Sequence, residues 1–237
     1  MDFERQGARL QQLLGLRCPP VALALRPAAP PGIRRVDHAA PSGCSYWRLA
    51  AEGRVFFTEA SDHYHCPIGA HTHGVDLPAE TARELEGLIG TMAQLQYIRM
   101  EEIPTIPQRH QPFGVAIYAP LTATPVDPDV VIVQGNPKQM MLLVEAVHAV
   151  GLPYDPAAQL RPTCAIVPTA TEAGRVSLSL GCIGNRVYTG LADNELYIAI
   201  PGAQLNAILK KLEAIVAANR TLEEFHQQRK DQTASPR

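Results

Sequence analysis

Residues 128–147 read PDVVIVQGNPKQMMLLVEAV, and residues 194–215 read NELYIAIPGAQLNAILKKLEAI. Each begins with a short, almost wholly apolar run, turns at a glycine and continues with apolar residues at helical spacing. Such a run, bounded by turn residues, suits a strand buried on both faces. The first segment continues through Gly135-Asn136-Pro137 into a helix that Gly151-Leu152-Pro153 stops. Two strand–turn–helix units in one chain point to an α/β (or α+β) fold.

The similarity extends upstream of both segments. Cys44 is followed by Gly53-Arg54-Val55 and Cys66-Pro67-Ile68-Gly69, while Cys164 is followed by Gly174-Arg175-Val176 and Cys182-Ile183-Gly184. The shared order predicts two related α/β units, produced by internal duplication and packed about a pseudo-twofold axis. The halves span about residues 18–150 and 155–220 of a single domain, 1–225, with a polar tail at 226–237. Each half carries one cysteine at the start of a helix or loop and one at a strand-to-glycine turn, so the four cysteines are expected to converge.

Other elements follow from local pattern. MDFERQGARLQQLLGL is an amphipathic helix, and PPVALAL reads as a strand closed by a proline-rich turn. Ser42 or Gly43 starts a short helix near Cys44, Gly53 ends it, and RVFFT forms a strand. Residues 78–97 form a helix with Pro78 in its first turn and Leu85, Leu88, Ile89, Met92 and Leu95 at helical spacing. FGVAIYAPL is a further strand, and the residues after Glu224 form a frayed end.

Composition excludes several classes. With 237 residues, 46% hydrophobic and 19% charged, the chain is long enough for its own core and shows no sign of bulk disorder. A net charge of -2 argues against nucleic-acid binding, which needs a basic face. No apolar run approaches the roughly 18 residues of a membrane span. The N-terminus lacks the uncharged core and small-residue cleavage site of a secretory signal, so a cytoplasmic location is expected. There, five cysteines read as thiols, metal ligands or redox groups rather than structural disulfides.

Thiolates select zinc, copper(I) or iron–sulfur clusters. The four repeat cysteines, Cys44, Cys66, Cys164 and Cys182, are expected to hold an iron–sulfur cluster, [4Fe–4S] above others, for electron transfer or cluster-assisted redox chemistry. No CxxC occurs, so compact zinc knuckles and the bacterial ferredoxin run are not the templates. Gly69 and Gly184 would let the backbone approach the cofactor, and Arg186 would balance thiolate charge. Zinc or haem is the alternative, bound in a delivery module by Cys66 with nearby histidines, His71 and His73 in particular. A further alternative is a metal-free enzyme or small-molecule binder whose pocket lies between the two units, with structural cysteines. Thiols that form a Cys44–Cys66 or Cys164–Cys182 disulfide are the fourth reading. A redox partner protein or small-molecule substrate and a homo-oligomer are compatible with these readings, and whether the chain is an enzyme stays open.

Residues 61–74, SDHYHCPIGAHTHG, hold four of the eight histidines. His63 and His65 would share one face of a continued strand, as would His71 and His73. The second half has no counterpart of these histidines. They are therefore read as a local elaboration, with His63 in a solvated loop. Cys18 has no partner in the repeat and is read as a core residue. GNPKQ (135–139) reads as a structural turn rather than an anion site, and Asp127 and Asp129 flank Pro128 as turn residues.

PPVALAL, Cys44, Cys66-Pro67-Ile68-Gly69, PDVVIVQGNP, Cys164 and GCIGNR at 181–186 together resemble a family of bacterial and archaeal proteins known as domain of unknown function 169. The resemblance spans roughly residues 15–215. It implies the domain boundaries but no catalytic residues, and the histidine-dense loop departs from the usual pattern.

Overall fold

The computed structural model describes residues 2–155 and 162–234. Helix α1 (Phe3–Leu14) is capped by Asp2 and closed by left-handed Gly15. Next come β1 (Val21–Arg26), α2 (Gly43–Ala51), β2 (Phe56–Thr58), a 3-10 turn (Ala60–His63), α3 (Pro67–Thr72) and α4 (Ala79–Gln94). Strands β3 (Val115–Pro120) and β4 (Val130–Gly135) lead to α5 (Pro137–Val150) and the two-residue β5 (Tyr154–Asp155). The chain ends with α6 (Ile166–Glu172), β6 (Val176–Ser179), α7 (Ile183–Thr189), β7 (Leu196–Pro201) and α8 (Leu205–Ala234).

The fold is mixed α/β. One sheet has the order β2-β3-β1-β4-β7-β6-β5. Its pairings are antiparallel from β2 to β6, and among the described residues only β5 lies parallel to its neighbour. At the centre β1 meets β4 with Val21 opposite Ile132, Ala22 opposite Val131 and Leu23 opposite Val130.

Side-chain alternation divides the central strands between two cores. Val131 and Val133 of β4, with Ile198 and Ile200 of β7, face a core filled from α1, α5 and α8 by residues such as Leu10, Leu143 and Leu212. Val130 and Ile132, with Tyr197 and Ala199, face the opposite core, where Tyr46 and Trp47 of α2 and Ile166 and Val167 of α6 pack. Covering both faces explains why β4 and β7 read as continuous apolar runs. Cys44 and Cys164 lie in the second core.

The expected strands and long helices are present, with three local differences. His63 ends a 3-10 turn rather than continuing β2, and Cys66 and Cys182 each precede a short helix, α3 and α7. The residues expected to fray instead extend α8, which runs to Ala234 and is exposed over 225–233. Residues 235–237 of the tail, and 156–161 in the second half, lie outside the described residues.

Candidate thiol site

Four cysteines approach one another on the α2/α6 face of the sheet. Ser42 caps α2 by accepting the Ser45 N–H at 3.2 Å, which fixes Cys44 in the first turn. Cys164 occupies the 3-10 turn Thr163–Ala165 that enters α6. Both are buried, whereas Cys66 and Cys182, each the residue before its short helix, are partly exposed.

Backbone groups hold the two partly exposed cysteines beside the buried ones. The N–H groups of Gly43 and Gly69 donate to the Cys66 sulfur. In the other half the Cys182 N–H donates to the Thr163 hydroxyl at 2.6 Å. Each partly exposed cysteine is thereby fixed against the residue that precedes a buried one. Contacts also cross between the halves: Thr72 at the end of α3 reaches Cys164, and Asn185 of α7 reaches Cys44.

All six pairings among the four cysteines are close enough for one thiolate to raise the pKa of another. Burial is the larger cause. It pushes Cys44 well above the ordinary thiol value and Cys164 likewise, with the neighbouring sulfurs adding to the shift. Burial also raises Cys66, opposed by the N–H donors of Gly43 and Gly69. These three cysteines are therefore neutral thiols near pH 7.

This geometry corrects the metalloprotein expectation. Among the described residues no group of three or more His, Cys, Asp or Glu side chains is arranged to hold a metal ion. A metal or cluster site needs several donors at bonding distance from a common centre. Mutual electrostatic influence among Cys44, Cys66, Cys164 and Cys182 is a weaker condition, satisfied over longer distances. The reading of the chain as an iron–sulfur protein through these four residues is overturned, and His71 and His73 do not complete a donor set with Cys66.

The other candidate residues fall in different surroundings. A Cβ on Gly69 would lie 2.8 Å from the Cys66 sulfur, so glycine is required there for the close approach. Gly184 has no such neighbour, because a Cβ would meet only the Tyr188 ring at ordinary contact distance. Arg186 donates to the Ala192 carbonyl at 3.0 Å and the Leu180 carbonyl at 2.5 Å, tying the segment before α7 to the turn between α7 and β7. Cys18 is partly exposed and lies outside both cores.

The histidines separate by burial. His65 is exposed and His71 partly so, but His63 and His73 are each 1% exposed and stack with ring centroids 5.9 Å apart. The solvated-loop reading of His63 is therefore wrong. Several buried polar atoms on the thiol face have no hydrogen-bond partner, among them His63 Nδ1, His73 Nε2 and Trp47 Nε1. Buried polar groups are normally matched by a hydrogen-bond partner. Thr72, Tyr118, Thr163 and Asn185 carried no functional signal in the sequence, since each reaches the site through tertiary packing alone.

A mostly antiparallel sheet lies between two helical layers, with two buried and two partly exposed free cysteines on one face. The chain belongs to the DUF169 family, described as "Uncharacterised ArCR", whose sequence profile matches residues 9–211. It is similar to the uncharacterised protein MJ0308 of Methanocaldococcus jannaschii, at 25% identity over 222 residues, covering 90% of this chain and 94% of that protein. No solved structure matches. Among the described residues no helix is long and apolar enough to cross a membrane.

Proposed function

We propose that the chain is a thiol–disulfide redox protein of the cytoplasm, working through Cys44–Cys66 and Cys164–Cys182. The observation that carries this reading is the gathering of four free cysteines, one partly exposed and one buried in each half, into one mutually interacting group. The partly exposed Cys66 or Cys182 loses its proton and attacks an incoming disulfide, and the mixed disulfide is resolved by buried Cys44 or Cys164 as each in turn gives up its proton. For a small disulfide RSSR, two protein thiols become one protein disulfide and two RSH leave, so electrons and protons balance. Either a small molecule or a partner protein could supply the incoming disulfide.

An internal duplication fits the paired arrangement. Matching β1·β3 to β4·β7 by register places Val21 with Val130 and Pro120 with Pro201. Matching β2·β3 to β6·β7 places Phe56 with Ser177, in step with the two Gly-Arg-Val words that precede them. Under the same correspondence the central Ala22–Val131 pair exchanges with itself, as a residue pair on a twofold axis would.

The test is peptide mapping under non-reducing conditions after treatment with bis(2-hydroxyethyl) disulfide. Cys44–Cys66 and Cys164–Cys182 crosslinks are expected, reversed by dithiothreitol, with Cys66→Ser abolishing the first and sparing the second. Mixed disulfides alone, with no crosslink among the four, would sink the proposal.

A further inference from the structure

The stacked histidines lie beside the thiols but take no part in disulfide exchange. His73 Nδ1 is 2.7 Å from the Gly69 carbonyl, which only accepts, so Nδ1 carries the proton and Nε2 of the neutral ring is a bare lone pair. His63 Nε2 is 2.8 Å from the Thr58 hydroxyl, which itself reaches the Ala116 carbonyl at 3.5 Å. In the tautomer in which His63 Nε2 donates to Thr58, Nδ1 is bare. Both bare nitrogens are buried without a partner, and so is the obligatory donor Nε of Arg109. Arg109 is held there by its backbone N–H on the Thr72 carbonyl and by Glu172 at 2.9 Å, and its charge acts on His73.

Two acceptors and one donor complement a small molecule that gives two hydrogens and receives one. Water fits this description in the resting state. A hydroperoxide fits it too and can oxidise a thiol. Gly43 connects His63 with the thiols: its N–H donates to the Cys66 sulfur, and a Cβ on it would lie 3.8 Å from His63 Nδ1.

We infer that His63, His73 and Arg109 form a buried seat for hydrogen peroxide, the oxidant of Cys66. The inference rests on the thiol reading above and names its substrate. The Cys66 sulfur attacks one peroxide oxygen and the O–O bond breaks. Sulfur is oxidised by two electrons to a sulfenic acid, and the departing oxygen takes the thiol proton and leaves as water. The Cys44 thiol then displaces the sulfenic oxygen, which leaves as a second water when the S–S bond forms. Two thiols and one peroxide thus give one disulfide and two waters. Arg109 offsets the charge that develops on the departing oxygen, while the imidazole lone pairs hold the peroxide hydrogens and relay the thiol proton.

The test uses His63→Gln, which keeps an N–H for Thr58 but lacks the second nitrogen, and His73→Asn, which keeps the donor to Gly69 for the same reason. Second-order rates of thiol loss are measured with hydrogen peroxide and with bis(2-hydroxyethyl) disulfide, and dimedone traps the sulfenic acid. The wild-type protein should outpace free cysteine towards peroxide and carry the dimedone label on Cys66. In each variant the ratio of the peroxide rate to the disulfide-reagent rate should fall about a hundredfold or more, the scale of one lost proton-transfer group. An unchanged ratio, or a wild-type peroxide rate no higher than that of free cysteine, overturns the seat and leaves the thiol reading standing. Failure of both reagents to produce a crosslink overturns both. If one variant does not fold, the other and the wild-type comparison still decide.

Discussion

At the scale of single residues, the cost of burying an imidazole makes His63 an acid-labile point. Its pKa is pushed down to about 3, first by burial and then by the nearby His73, with Asp62 opposing weakly. The unfolded chain regains an ordinary value near 6.5. Below that pH the unfolded state binds the proton that the folded state refuses, so stability falls as pH drops from about 6.5 towards 3 and levels off beneath. Over the full window the loss is about 5 kcal/mol at most, and between pH 7 and 4.5 about 2–3 kcal/mol. Burial also lowers the His73 pKa, which adds a loss of the same sign. Urea unfolding at pH 7 and 4.5 should show this drop in the wild type and a drop smaller by about 2 kcal/mol in His63→Gln. An equal drop in both proteins would place the acid sensitivity elsewhere.

At the scale of elements, α5 shows how much local sequence can specify. Asn136 accepts the Gln139 N–H at 3.1 Å, and the Gln139 side-chain oxygen accepts the Asn136 N–H at 2.8 Å. The Gln139 amide also donates to the carbonyls of Leu14 and Gly15, at 3.0 and 2.9 Å, fastening the end of α1. Asn136→Ala should cost about 1 kcal/mol, the usual worth of a helix cap. Gln139→Ala should cost about 2 kcal/mol, because it also strips donors from α1. A smaller effect of Gln139→Ala than of Asn136→Ala in urea titration would contradict the account. The strand–turn–helix reading of this region was legible because β4 is buried on both faces and α5 carries its cap and stop in sequence. The helices α3 and α7 were not legible. At six and seven residues, with glycines inside, they show no periodicity, so Cys66 and Cys182 read as turn positions. The 3-10 turn at Ala60–His63 misled for a related reason: alternating histidines imitate a strand, but the Glu59–Asp62 capping box turns the chain.

At the scale of the whole molecule, the order of similar words led to the expectation that Cys44, Cys66, Cys164 and Cys182 would converge. It did not foretell where each sulfur would point, and that direction decides between a metal site and a thiol site. Sequence spacing limits which backbones approach, whereas donor geometry depends on helix starts and tertiary bonds such as Gly43 to Cys66 and Thr163 to Cys182. The same contacts bind the halves into one unit. Trp47 of α2 packs edge-on to Tyr197 of β7 at 5.5 Å, α2 lies against α7, and Thr72 and Asn185 reach across to Cys164 and Cys44. Strands β1 and β4 join the halves through the middle of the sheet, so neither half can separate without exposing both cores. Unfolding should therefore be a single cooperative event, and the lone tryptophan provides the probe. Trp47 is 2% exposed, so its emission should shift red in urea at the midpoint seen by far-UV circular dichroism. Substituting Ala for Leu143, in the opposite core, should cost 2–5 kcal/mol, the range for truncating a buried leucine. It should lower both midpoints together although Leu143 and Trp47 lie on opposite faces of the sheet. A tryptophan transition that stays in place while the circular dichroism transition moves would show that the two faces unfold independently.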